Sequence, residues 1–155
     1  MQTIHATRND ADMICTLMHE AFAEYRNATP PSSALKETPD TIAEGFDAGE
    51  QAIIAFKSGQ AVGVIRFREL EDHIYFYRLS VPPSHQGKGV AKQLIHALET
   101  YTQSVGYGEI RCRVRASVSR NMHLYEKLHY VTKKIEAKEV NHRTIDVATL
   151  SKSLV

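Results

Sequence analysis

Residues 2–7 read as a short first strand, after which the apolar positions change period. Met13, Ile14, Leu17, Met18, Ala21 and Phe22 recur at helical spacing, and Asp10 stands where it can cap the helix they define. The stretch Asn27-Ala28-Thr29-Pro30-Pro31-Ser32-Ser33 is built from turn formers, and its double proline excludes a continuous helix, so a surface loop is expected. A second short helix is predicted over residues 39–46, with Thr38 as its cap and Gly49 near its end.

Two apolar runs, residues 52–56 and 61–68, flank the turn Lys57-Ser58-Gly59-Gln60 and predict a hairpin. A third strand over residues 73–81 follows the polar turn at residues 69–72. From Gly89 onward Val90, Leu94, Ile95, Leu98, Tyr101 and Val105 return to helical spacing, giving a helix that ends at Gly106. In residues 109–115, Ile110, Cys112 and Val114 alternate with Arg111, Arg113 and Arg115, the pattern of a half-buried strand. Because a long helix separates it from the strand ending at Val81, the two can pair in parallel across a crossover. A short helix over residues 119–128 and strands near 130–138 and 143–150 complete the order β-α-α-β-β-β-α-β-α-β-β, a mixed α/β sheet covered by helices. Residues 1–155 are expected to form a single domain, since no linker, repeat or low-complexity tract interrupts them.

Composition narrows the partners. With 19 Lys+Arg against 18 Asp+Glu there is no global field to attract nucleic acid or an acidic membrane. Cys15 and Cys112 lie in apolar stretches without CxxC spacing, which disfavours a disulfide framework or a zinc site and fits a reducing cytoplasm. The eight histidines form no HExxH or close His/Cys cluster, so no metal is expected. The beginning of the sequence is too polar for a signal peptide and no apolar run is long enough to span a bilayer, so a protein without membrane association is expected.

The chemistry concentrates in Leu79-Ser80-Val81-Pro82-Pro83-Ser84-His85-Gln86-Gly87-Lys88-Gly89-Val90-Ala91, a strand, a turn and the start of a long helix. Amides in a helix's first turn have no internal acceptor and the helix dipole adds partial positive charge, so this geometry suits a phosphate. Glycines admit close approach of the backbone, and the two prolines hold the loop in a fixed place relative to the strand end. A nucleoside-triphosphate loop would need GxxxxGK followed by Ser or Thr. A dinucleotide fingerprint would need GxGxxG, whose three glycine positions are here Gly87, Gly89 and Lys92. The pattern present, [Arg/Gln]-x-x-Gly-x-[Gly/Ala], is met by Gln86, Gly89 and Ala91 and resembles the pyrophosphate loop of the GNAT family of acetyl-CoA-dependent N-acetyltransferases. Residues 78–82 resemble that family's cofactor strand, residues 124–130 its closing helix and following turn, and the element order agrees along nearly the whole chain.

The resemblance implies a central, mostly antiparallel mixed sheet of six to seven strands flanked by about four helices, with a parallel strand pair splayed at the cofactor. It implies acetyl-CoA as cosubstrate, with amides of Gln86, Gly87, Lys88, Gly89, Val90 and Ala91 on the pyrophosphate and main-chain groups around Leu79, Ser80 and Val81 on the pantetheine arm. Direct acyl transfer to an amine needs a neutral nitrogen and an acid for the departing thiolate. Tyr125 matches the position of the family's usual general acid. Its alternative role is that of a core aromatic beside Leu124 and Leu128.

Departures from the pattern leave other roles open. Tyr75 and Tyr77 stand where many relatives carry a glutamate, so Glu37, Glu69 and Glu71 become the candidate bases, beside simple positioning of a neutral amine. Val118 stands where an asparagine is frequent, and Asn121, one turn before Tyr125, could contact the cofactor from a shifted position. Tyr25, Arg26 and Glu37, around the proline-rich loop, are the handles for a small-molecule or peptide amine acceptor, and Tyr75 and Tyr77 are expected beside it on the cofactor strand. Arg111, Arg113 and Arg115, with Lys133 and Lys134 downstream, read as a solvated strand face, the alternatives being a cofactor phosphate or nucleic acid. Cys112 reads as core. Dimerisation is common among similar proteins, so a homodimer is admissible. The rival readings are a non-catalytic acyl-CoA-binding sensor and, more remotely, a nucleotide-binding module.

Overall fold

The computed structural model describes residues 1–23, 33–140 and 142–155. Seven strands, β1 (Gln2–His5), β2 (Gln51–Lys57), β3 (Gln60–Glu69), β4 (Ile74–Ser80), β5 (Glu109–Arg115), β6 (Val131–Val140) and β7 (Arg143–Ser153), form one sheet in the order β1-β2-β3-β4-β5-β7-β6. Every neighbouring pair is antiparallel except β4 and β5. Among the described residues four helices flank the sheet: α1 (Ala11–Phe22), α2 (Pro39–Asp47), α3 (Val90–Ser104) and α4 (Ser119–Lys127). The architecture is thus the mixed α/β fold anticipated from the pattern, and among the described residues no helix is long and apolar enough to cross a membrane.

Several boundaries move for local reasons. The first strand stops at His5, because Thr7 opens a 3-10 turn over Arg8–Asp10. Asp10 does not cap α1 with its side chain. Its carboxylate turns back to accept from the Thr7 amide at 2.8 Å. Thr38 does cap α2, accepting from the Thr41 amide at 3.2 Å, with Pro39 at the position where a missing amide costs nothing. The closing hairpin is longer than its apolar pattern, because β6 is an exposed edge strand whose polar positions still pair with β7 from Val131↔Ser151 to Val140↔Arg143.

The core lies on both sheet faces. Ile14, Met18 and Ile42 pack with Ile54 and Val64 on one side, under α1 and α2. Leu94, Ile95 and Leu98 of α3 pack with Phe67, Ile74, Phe76 and Ile110 on the other. Each such fully buried side chain contributes roughly 1.5–3 kcal/mol. Gly63 lets α3 settle closely. A Cβ there would lie 2.7 Å from Val90 Cγ1 and 3.2 Å from the Ser80 carbonyl, so the start of α3 is drawn against the end of β4.

Two irregularities shape what lies between β4 and β5. Their parallel pairing covers only Ile74↔Ile110, Tyr75↔Arg111 and Phe76↔Cys112. On its other side β4 pairs Ser80 with Val64 but Tyr77 with Arg66, so it carries one extra residue, and Arg78 takes a φ of 52°. Such a bulge bends and twists its strand. Beyond Phe76 the strands run on without further pairing, and side chains from both line a cleft.

Candidate active site

The loop between β4 and α3 begins with a 3-10 turn over Pro83–His85, in which the Gln86 amide donates to the Pro83 carbonyl. Gly87 and Gly89 both have left-handed backbones, φ 76° and 81°, which side chains with a Cβ rarely adopt. Gly89 occupies the N-cap position without a side-chain cap, and the first backbone bond into α3 runs from the Gln93 amide to the Gly89 carbonyl. Among the described residues, the amides of Gly87, Lys88 and Gly89 have no backbone acceptor, and Val90 and Ala91 follow in the first helical turn. Gly87, Gly89, Val90, Ala91 and Gln86 line a cavity of 370 Å³ that also receives Leu79, Val81 and Asn121. These features fit a diphosphate.

Not every residue expected at the cofactor presents a side chain there. Ser80 is buried, and its hydroxyl donates to the Arg78 carbonyl at 2.9 Å, fastening the bulge instead. Lys88 is exposed and absent from the cavity wall. The Val81 carbonyl, expected to meet the pantetheine arm, accepts from Gln86 Nε2 at 2.9 Å, which ties the loop to the strand end. His85, Lys92 and Arg120 add positive or titratable groups at this cavity that sequence reasoning had not singled out.

A second cavity of 280 Å³ occupies the gap where β4 and β5 part, and Leu79 and Asn121 line both it and the first. Tyr125, Val118 and Asn121 reach it from α4 and its approach, so the one-turn spacing of Asn121 and Tyr125 does bring them to one wall. The Tyr125 ring is 5% exposed and packs 5.8 Å from both Phe76 and Tyr130. It is therefore both a core aromatic and a cleft residue. Burial raises its phenol well above the ordinary value of 10, which keeps the proton in place at neutral pH. Cys112, also on this wall, is raised by burial and has no nearby activating partner that would make it a nucleophile.

The candidate bases fare differently. Both Glu37 oxygens lie within hydrogen-bond reach of Arg66 Nη1, at 3.0 and 2.9 Å, and one also accepts from Arg78 Nε at 3.1 Å. A carboxylate so committed holds the cleft wall and is poorly placed to take a proton from an amine. Glu69 accepts from Gln51 and from Tyr101 of α3, at 2.6 and 2.7 Å, beyond the cleft, and Glu71 sits in an exposed turn that lines neither cavity. Tyr75 and Tyr77 do line the gap, stacked 5.9 Å apart. Burial pushes Tyr77 up to about 12, so it too is protonated at neutral pH. Tyr25 and Arg26 lie outside the described residues.

Sequence reasoning missed the group behind these tyrosines. Arg66 is 4% exposed, sits 5.2 Å from the Tyr77 ring and bridges Glu37 and Glu50. Arg68 also bonds Glu50. Burial works to raise the Glu50 carboxyl, but the Arg68 hydrogen bonds and the Arg66 charge outweigh it and hold it low. An arginine inside an apolar strand pattern was the available signal.

The acetyltransferase (GNAT) family matches residues 15–130, three-quarters of the sequence, and the chain belongs to that family. No curated protein matches the chain. Among solved structures, smu.2055 from Streptococcus mutans UA159 superposes with a TM-score of 0.84 at 18% identity, with 100% of each chain covered. The putative acetyltransferase yncA from Salmonella typhimurium, solved with its cofactor acetyl-CoA, gives 0.80 at 16% identity over 100% of this chain and 94% of that one. The spermidine/spermine N-acetyltransferase SpeG from Vibrio cholerae gives 0.75 at 20% identity over 99% and 94%. At these identities the likeness concerns the fold.

Proposed function

We propose that the protein transfers the acetyl group of acetyl-CoA to a primary amine by direct attack in a ternary complex. The observation that carries this reading is the set of amides without backbone acceptors from Gly87 to Gly89, placed beside the gap between β4 and β5. These amides, with those of Val90 and Ala91, hold the pyrophosphate, while the Gln86 amide, expected there from the sequence, is taken by the Pro83 carbonyl, and Leu79 with the Val81 amide meets the pantetheine arm. Asn121, which lines both cavities, reaches the same arm. Bound acetyl-CoA supplies the activated acyl group. The amine attacks as the neutral form, and the C–S bond breaks as Tyr125 gives its proton to the departing sulfur. Because no carboxylate lines the gap among the described residues, the proton that the nitrogen then sheds passes to water, from which Tyr125 is reprotonated.

The test is an amine panel with acetyl-CoA, read by free thiol release, alongside calorimetric titration with acetyl-CoA, ATP and NAD. Acetyl-CoA should bind, the two nucleotides should not, and at least one amine should release thiol. Binding with no transfer to any amine would favour a sensor. No acetyl-CoA binding at all would end the proposal.

A further inference from the structure

The gap between β4 and β5 does not end at the cleft. Tyr75, Tyr77, Arg78 and Arg113 line it and also line a groove of 570 Å³ on the open face of the sheet. Among the described residues, five cations, Arg68, Arg78, Arg111, Arg113 and Lys134, and a single carboxylate, Glu50, face this groove. Most of these charges are already answered. Arg68 bonds Glu50, Arg78 bonds Glu37, Arg111 bonds Glu109 at 2.6 Å, and Lys134 lies 3.3 Å from Glu136. Arg113 differs. Its guanidinium lies 5.8 Å from the Tyr75 ring and faces no carboxylate among the described residues.

A second observation concerns hydroxyls. Thr149 is 8% exposed, and its Oγ1 has no hydrogen-bond partner among the described residues. The Tyr77 hydroxyl is also buried, but Glu50 and Arg68 stand close enough to answer it. Both line the same groove. An unmet buried hydroxyl costs about 1–3 kcal/mol, so the Thr149 hydroxyl beside an unpaired guanidinium needs an explanation. The sheet register supplies the arrangement, because Thr149 is the cross-strand partner of Arg113 on one side and of Lys134 on the other. Cross-strand partners point to the same face, so guanidinium, hydroxyl and ammonium stand in one row across three strands. That is a donor set for an oxyanion.

We infer that the acceptor is an amine carrying an oxyanion, a carboxylate or a phosphate, held by Arg113, Thr149 and Lys134 while its nitrogen enters the gap at Tyr77. The inference rests on the acetyl-transfer reading above and names the substrate class of the same site. Strands lie about 4.8 Å apart, so nitrogen and acid group stand roughly 5–10 Å apart in the acceptor. A polycationic amine meets the wrong field here, since the one carboxylate of the groove is already bound by two arginines.

Matched acceptor pairs test this. Aminohexanoate against diaminohexane and phosphoethanolamine against ethanolamine are compared in kcat/KM by thiol release, and acetyl-CoA affinity is measured calorimetrically on the same preparations. The acidic member of at least one pair should be favoured by roughly tenfold or more, and the pair that shows it distinguishes carboxylate from phosphate. Arg113→Gln should bring that ratio close to one by raising KM for the acidic member, and Thr149→Val should lower it less. If acetyl-CoA binds but nothing turns over, the same pairs titrated into protein saturated with coenzyme A must show the same order in Kd. Acetyl-CoA binding with equal or better use of the diamine overturns this inference and leaves acetyl transfer standing. Failure to bind acetyl-CoA overturns both.

Discussion

Replacing Tyr125 by phenylalanine removes one oxygen from the cleft wall and keeps nearly everything else. The ring contacts with Phe76 and Tyr130, both at 5.8 Å, are made by carbon, and the backbone carbonyl that accepts from the Tyr130 amide is untouched. Folding stability should therefore change by about 1 kcal/mol or less. Transfer should fall much further. General acids contribute roughly 10²–10⁴-fold, and a thiolate with a parent pKa near 8.5 is already a fair leaving group, so the lower end applies. A loss of about 10²-fold in kcat corresponds to about 2.7 kcal/mol of transition-state stabilisation. Because burial raises the phenol above 10, the wild-type kcat should show no alkaline fall arising from this group below about pH 10. The assay is thiol release across pH with the best acceptor, beside calorimetry with acetyl-CoA. A kcat within about threefold of wild type would refute the role, and so would a parallel loss of acetyl-CoA affinity, which would mark Tyr125 as a binding or packing residue.

Three further outcomes follow from the geometry. Gly89→Ala places its methyl in open space, so its cost is purely torsional at φ 81°, about 1–2 kcal/mol. This should appear in calorimetry as roughly a 5–30-fold weaker acetyl-CoA affinity when the loop relaxes, or in thermal unfolding when it does not. Gly45→Ala would ordinarily stabilise a helix by about 1 kcal/mol. Here the new Cβ would meet Glu50 Oε2 at 2.0 Å and drive it from Arg66, so chemical denaturation should show a loss of about 1–3 kcal/mol. Glu109 is held down to about 2 from 4.5, first by the Arg111 hydrogen bonds and then by Ser151. Its contribution is present above pH 4.5 and fades as pH falls toward 2, so Glu109→Gln should lower Tm at pH 6 and converge on wild type in acid.

What could be seen in the sequence and what could not divides along physical lines. The helices and hairpins were legible because their signals are local: the 3.6-residue return of Leu94, Leu98 and Tyr101, the Ser58-Gly59 turn, the Thr38-Pro39 start. The path of the glycine loop was legible because glycine is the residue that left-handed backbone selects, as at Gly87 and Gly89. The bulge at Arg78 left no trace, since an arginine with φ of 52° runs against local preference and is imposed by the strands around it. Arg113 looked like one of three alternating arginines. Only the register that sets it beside Thr149 separates it from Arg111, which Glu109 neutralises. Glu37 looked like a base for the same reason, because nothing in its neighbourhood announces Arg66 and Arg78.

The bulge and the buried charges belong to one device. A non-glycine residue in the left-handed region costs of order 1–3 kcal/mol and persists only when its surroundings over-determine it. Arg78 is held by Glu37, by the Ser33 hydroxyl at 2.9 Å and by the Ser80 hydroxyl on its carbonyl. Glu37 is in turn fixed by Arg66, whose other nitrogen holds Glu50 at the far end of α2. Strain at the cleft is thus offset through a chain of charge-assisted bonds that begins at the core layer under α1 and α2, where Arg66 also touches Met18. Because the pairs are mutually desolvated, removing one partner strands the others. Weakening the chain should release Arg78 before the hydrophobic layers separate, which hydrogen exchange would read as faster exchange at the amides around Arg78 with those of the core strands unchanged.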